Sequence, residues 1–134
     1  PTLVCPTDLE LSNDPGICGA VANYNEPEFI DNCELIESQV IRIEGPASGE
    51  VFPVGTTVVT YQITDGSGNI TTCSFEVTVS DTESPMIICN DDIEQLPDAP
   101  QIDAIVEYEL PEFSDNCSAT LSLIEGLESG EVFP

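Results

Sequence analysis

Two kinds of side chain in this sequence are equipped for chemistry: six cysteines, Cys5, Cys18, Cys33, Cys73, Cys89 and Cys117, and a dense population of carboxylates. No histidine is present to act as the base for a serine or thiol nucleophile. The cysteines form no C-x-x-C pair of the kind that holds zinc. In units as small as these they read as disulfides, which places the chain outside the cytoplasm. Paired carboxylates are the tools of aspartic proteases and glycosidases, but that chemistry needs a cleft that drives the two pKa values apart. Carboxylates and amide oxygens converging on one point can instead hold calcium, which takes roughly six to eight oxygen ligands. The candidate ligands are Asp14, Asp81, Glu83, Asp115 and Asn116, because they cluster around a junction in the chain. Asp65-x-Ser67-x-Asn69 with Glu76 looks superficially like an EF-hand loop. It is better read as a turn, since Ile70 stands where that loop requires glycine and Glu76 falls in a strand.

The junction is defined by a repeat. Pro-Glu-Phe-x-Asp-Asn-Cys stands at 27–33 and again at 111–117, and the same offset of 84 pairs Pro1 with Pro85, Cys5 with Cys89, Ala20 with Ala104 and Tyr24 with Tyr108. Beyond the cysteine the second copy runs three residues shorter, so that 45–53 returns as 126–134. So long a period indicates tandem domains rather than a solenoid. The expected organisation is a complete domain at 1–80, a short linker at 81–85, and at 85–134 the N-terminal part of a second domain that lacks everything matching 54–80. Such a piece cannot close its own core, and the chain reads as an excerpt from a longer array.

Twenty-six acidic residues face a single basic one, Arg42, for a net charge of −25. Nucleic acid and anionic membrane surfaces would be repelled. No signal peptide and no long apolar run appear, so the expectation is mature, soluble, internal sequence without direct membrane insertion.

The elements that must position these residues are short strands. Residues 3–11 make a half-buried strand interrupted by Pro6; Asn13-Asp14-Pro15-Gly16 is a turn; a strand from about 17 to 24 turns Cys18, Ala20, Ala22 and Tyr24 inward. Pro27 to Cys33 reads as a loop, followed by a strand over about 35–43. Two further strands alternate cleanly. Residues 58–64 set Val59, Tyr61 and Ile63 on one face, and 73–79 do the same with Cys73, Phe75, Val77 and Val79, around a hairpin turn at 65–69. The fold class is all-β, an antiparallel immunoglobulin-like β-sandwich repeated in tandem.

Cys5-Pro6, Asp31-Asn32-Cys33, Ser48-Gly49-x-x-Phe52-Pro53-x-Gly55-Thr56-Thr57-x-Val59-Thr60-Tyr61, Thr64-Asp65-x-x-Gly68-Asn69 and Cys73-x-Phe75-x-Val77-x-Val79 together resemble the hyalin repeat, or HYR domain. The resemblance implies an immunoglobulin-like sandwich found in arrays on secreted and cell-surface proteins, associated with adhesion and carrying no catalytic residues. In such a sandwich Cys5, Cys33 and Cys73 share one end and Cys18 lies at the other. Two pairings follow. Either Cys33 pairs with Cys73 inside the domain and Cys18 with Cys89 across the junction, or Cys5 pairs with Cys73, leaving Cys18 with Cys33 or free. Asn69-Ile70-Thr71 fits a glycosylation acceptor in an exposed turn, as Asn116-Cys117-Ser118 does less favourably. The resulting expectation is an extracellular or cell-surface stalk, spacer or filament module supporting adhesion. Its partners would be neighbouring repeats of the same chain. The rival is a direct calcium-dependent adhesin that binds a glycan or protein ligand through its end loops.

Overall fold

The structure, a computed structural model, describes residues 1–32, 40–97, 100 and 102–134. Two compact units divide it, unit 1 at Pro1–Glu83 and unit 2 at Ser84–Pro134. The expected strand over about 35–43 falls mostly outside the described residues.

Unit 1 is a β-sandwich whose described residues form eight strands: β1 (Thr2–Val4), β2 (Leu9–Ser12), β3 (Gly19–Val21), β4 (Glu28–Ile30), β5 (Val40–Glu44), β6 (Val51–Pro53), β7 (Gly55–Thr64) and β8 (Ile70–Ser80). One layer is a sheet of order β2-β8-β7-β5; β1 with β4 and β3 with β6 form two ribbons across the core. Pro6 explains the break between β1 and β2. It has no N–H to extend a ladder, and the chain crosses there from its pairing with β4 to a pairing with β8. That second pairing is parallel, with Leu9 opposite Val77 and Leu11 opposite Val79, whereas the other pairings among the described residues of unit 1 are antiparallel.

The β7–β8 hairpin is the centre of the unit. Val59 lies opposite Phe75 and Tyr61 opposite Cys73, and the β-branched and aromatic residues between them suit a pleated surface buried on one face. Val59, Ile63 and Val77 are fully buried, with Tyr61, Phe75 and Val79 close behind. At ~1.5–3 kcal/mol for each such side chain, the six together contribute on the order of 10 kcal/mol, as much as the whole net stability of a typical domain. Leu3, Ala20, Ala22 and Phe52 complete the core from the opposite layer. Tyr24 seals one side, its ring edge-on to Phe75 at 4.9 Å and to Phe52 at 6.3 Å, with its hydroxyl donating to the Pro46 carbonyl at 2.6 Å. Burial, helped by a hydrogen bond with Tyr24 and the charge of Glu26, holds the Tyr61 phenol far above the ordinary tyrosine range.

Two local expectations are corrected. Glu28–Ile30 is a strand rather than loop, because it supplies the partner of β1 and lets Phe29 pack on the core. Cys18 is exposed, because the inward alternation starts only with β3, and Cys18 belongs to the turn that precedes it.

Unit 2 contains β9 (Met86–Ile88), β10 (Ala104–Ile105), β11 (Glu112–Ser114) and β12 (Val132–Phe133). Its pairings copy those of unit 1: Ile87 opposite Phe113 repeats Leu3 opposite Phe29, and Ala104 opposite Phe133 repeats Ala20 opposite Phe52. The loop bonds are copied too. Tyr108 donates its hydroxyl to the Leu127 carbonyl at 2.6 Å and its N–H to Ser129 Oγ at 2.8 Å, as Tyr24 does to Pro46 and Ser48. The two pairings of unit 2 match the β1–β4 and β3–β6 ribbons of unit 1. Among its described residues no hydrophobic side chain is buried.

Candidate functional site

The chain enters and leaves unit 1 at opposite ends of β8. At the N-terminal pole the Thr71 hydroxyl donates to the Pro1 carbonyl at 2.9 Å. Two residues along β8, Cys73 forms a disulfide with Cys5, with Cα atoms 5.7 Å apart. This bond overturns the pairing of Cys33 with Cys73. The reason is topological: Cys5 directly follows β1 at the break before β2, beside the start of β8. Cys33 itself lies outside the described residues.

The pairing of Cys18 with Cys89 is overturned as well. Cys89 is a free, exposed thiol, whereas Cys18 is held in a disulfide.

At the C-terminal pole the turn after β2 clasps the departing chain. Asn13, buried, donates its own N–H to the Ser80 carbonyl at 2.9 Å. Its Oδ1 accepts from the Thr82 N–H at 2.9 Å and from the Thr82 hydroxyl at 3.1 Å. Its amide group donates back to the carbonyls of Asp14 and Ile17, so the side chain is satisfied on both sides as a buried amide must be. The Gly16 N–H then donates to Glu83 Oε1 at 2.7 Å. Sequence reasoning recognised the turn but not this role, since the partners of Asn13 lie almost seventy residues away and no local pattern announces them.

The proposed calcium ligands are distributed as follows. Asp14, Asp81 and Glu83 belong to unit 1 and Asp115 and Asn116 to unit 2. The Asp14 carboxylate accepts from the Val21 N–H at 2.8 Å, Asp81 Oδ1 accepts from the Glu83 N–H at 3.1 Å, and Glu83 is bonded to Gly16. Asp115 and Asn116 follow β11, and the Asn116 amide lies 3.7 Å from the sulfur of Cys117. Among the described residues no group of three or more acidic, cysteine or histidine side chains comes together in a way that could hold a metal ion.

Asn69 sits in the exposed β7–β8 turn, where its side-chain amide donates to Asp65 Oδ2 at 2.7 Å. Asp65 Oδ1 also accepts from the N–H groups of Ser67 and Asn69, at 2.9 and 2.8 Å. These bonds, led by the one from the Asn69 side chain, hold the Asp65 carboxyl below the usual aspartate range. Both its oxygens are committed to its own turn rather than offered to a metal.

Unit 1 is a disulfide-stapled β-sandwich in a strongly acidic chain, and the sequence assigns the class: residues 1–79 match the HYR domain family, to which the chain belongs. The chain is similar along its whole length to hyalin of Strongylocentrotus purpuratus, at 31% identity, and over 92% of its length to hyalin of Lytechinus variegatus, at 34%. It is also 29% identical, again along its whole length, to the Sushi, von Willebrand factor type A, EGF and pentraxin domain-containing protein 1 of Rattus norvegicus. The chain spans 4% of that protein's length, and 11% and 23% of the two hyalins. No solved structure matches it.

Proposed function

We propose that this chain is a load-bearing spacer module from an extracellular or cell-surface repeat array that supports adhesion. The observation that carries the reading is the position of the Cys5–Cys73 bond on the path between the ends of unit 1. Pro1 lies beside the start of β8, and Thr82 lies beyond its end. The strand's eleven residues span roughly 35 Å at ~3.3 Å each. A pull between the two ends therefore runs through Cys5, across the sulfur bridge to Cys73, and straight along β8 to the clasp at Asn13. Residues 6–72, which hold most of the core, stand aside from that path. A module so wired resists unravelling while its bridge is intact.

Other features support the same reading. The disulfide needs an oxidising compartment, the acidic surface keeps crowded arrays from associating, and the relatives named hyalin share the family. The working parts are mechanical, with neighbouring repeats as the principal partners.

Single-molecule extension with handles at Pro1 and Ser84 tests the proposal. With the bridge intact, unfolding should release roughly 30 Å, and with reductant roughly 250 Å, from extended lengths of ~3.6 Å per residue less the folded span. Equal steps in the two conditions would end the load-bearing reading. Saturable binding of a glycan or protein ligand that disappears on calcium chelation would instead favour the adhesin.

A further inference from the structure

Asn69-Ile70-Thr71 fits the acceptor pattern for an asparagine-linked sugar, and the fold gives that triplet both room and a clock. Asn69 is exposed at the end of the β7–β8 turn, and Ile70 beside it is 60% exposed. A Cβ added at Gly66 or Gly68 would meet nothing within 4 Å, so the turn stands in open space. The Asn69 side-chain nitrogen carries two hydrogens, and Asp65 Oδ2 accepts one of them at 2.7 Å. A sugar on Nδ2 takes the place of the other hydrogen, so the turn can keep its bond to Asp65.

Thr71 supplies the hydroxyl that the pattern requires. In the folded domain that hydroxyl is part-buried on β8 and donates to the Pro1 carbonyl at 2.9 Å. Two residues further on, Cys73 is tied to Cys5. The finished domain therefore holds Asn69 in a turn and Thr71 in a docked strand, with the groups that a transferase must read already engaged.

We propose that Asn69 is an N-glycosylation site, modified before Thr71 docks onto Pro1 and the Cys5–Cys73 bridge closes. The donor is an oligosaccharide carried on a lipid diphosphate. Asn69 Nδ2 attacks the anomeric carbon; the new C–N bond forms as the bond to the diphosphate oxygen breaks. The lipid diphosphate leaves, the displaced Nδ2 proton passes to a base of the transferase, and nothing is oxidised or reduced. The product is a bulky, hydrated group at the pole where the chain enters unit 1, opposite the Asn13 clasp.

The test secretes the 134-residue chain from cultured animal cells and maps its glycopeptides by mass spectrometry. Asn69 should carry a glycan, Thr71→Val should lose it, and Thr71→Ser, which restores the hydroxyl, should regain it. Unglycosylated chain is then offered to purified oligosaccharyltransferase with its lipid-linked donor, either folded and oxidised or reduced and alkylated. The reduced form should be modified at Asn69 roughly tenfold faster or more, because the docked strand must first open locally. An unmodified Asn69 in secreted chain whose Cys5–Cys73 peptide is present overturns the proposal. So do equal rates for the folded and reduced forms, since the docked strand would then set no order.

Discussion

Asn13 Oδ1 receives both the N–H and the hydroxyl of Thr82, so a single buried amide joins the end of β2 to the chain leaving β8. Replacing it with alanine strands those donors and opens the turn carbonyls it serves. The expected loss is about 1–3 kcal/mol of unfolding free energy. It is measured by urea denaturation together with amide exchange at Thr82, which should become as fast as in an unstructured peptide. Unchanged exchange at Thr82 would mean that the departing chain is held by other contacts.

The Cys5–Cys73 bridge closes a loop with a sequence separation of 68. On a chain-entropy estimate, cross-linking a loop of that size stabilises by about 4 kcal/mol. Cys5→Ser with Cys73→Ser should therefore lower the unfolding free energy by an amount of that order, whereas Cys33→Ser should leave the Cys5–Cys73 peptide intact in a non-reducing digest. Recovery of a Cys33–Cys73 peptide instead would contradict the pairing.

How much of this was legible depends on the range of each interaction. The inward faces of β7 and β8 could be read directly, because period-two alternation is written within each strand and the Asp65–Asn69 turn fixes their register. The three-residue strand β4 could not, since Pro27 and Asp31-Asn32 on either side dominate any local window and only its partner β1 makes it a strand. Cys18 misled because its alternation with Ala20 and Ala22 extends one step beyond where β3 begins. Cysteine pairing and the Asn13 clasp were the least accessible. Both depend on which loops the topology brings together at a pole, and residues 5 and 73, or 13 and 82, carry no mark of that in their own neighbourhoods.

The Asp65 carboxyl should respond to pH against the trend of the whole chain. Acid relieves the mutual repulsion of the other carboxylates, but the turn bonds favour ionised Asp65 and depress its pKa. The stabilisation it contributes is complete above the ordinary aspartate range and is lost as pH falls through its lowered folded value. In an NMR titration the Ser67 and Asn69 amides, which donate to Asp65, should shift with a midpoint below the ordinary aspartate range. Asp65→Asn should flatten both curves. A midpoint in the ordinary range would show the turn bonds to be too weak to matter.

Gly45 and Gly66 separate backbone necessity from mere convenience. Gly45 follows β5 with φ of +80°, and a Cβ there would lie 2.6 Å from the Val58 carbonyl oxygen and 2.9 Å from a methyl of Val59. Both neighbours belong to β7, whose Val59 is fully buried, so the strand can yield only by disturbing the core. Gly66 sits in the β7–β8 turn with open space around it and no positive φ. Gly45→Ala should therefore cost about 2 kcal/mol or more. Gly66→Ala should be neutral or stabilising by up to about 1 kcal/mol, because it restricts the unfolded chain at no cost in the folded one. Thermal melts of the two variants make the comparison, and equal midpoints would mean that the loop after β5 can move away from β7 without loss.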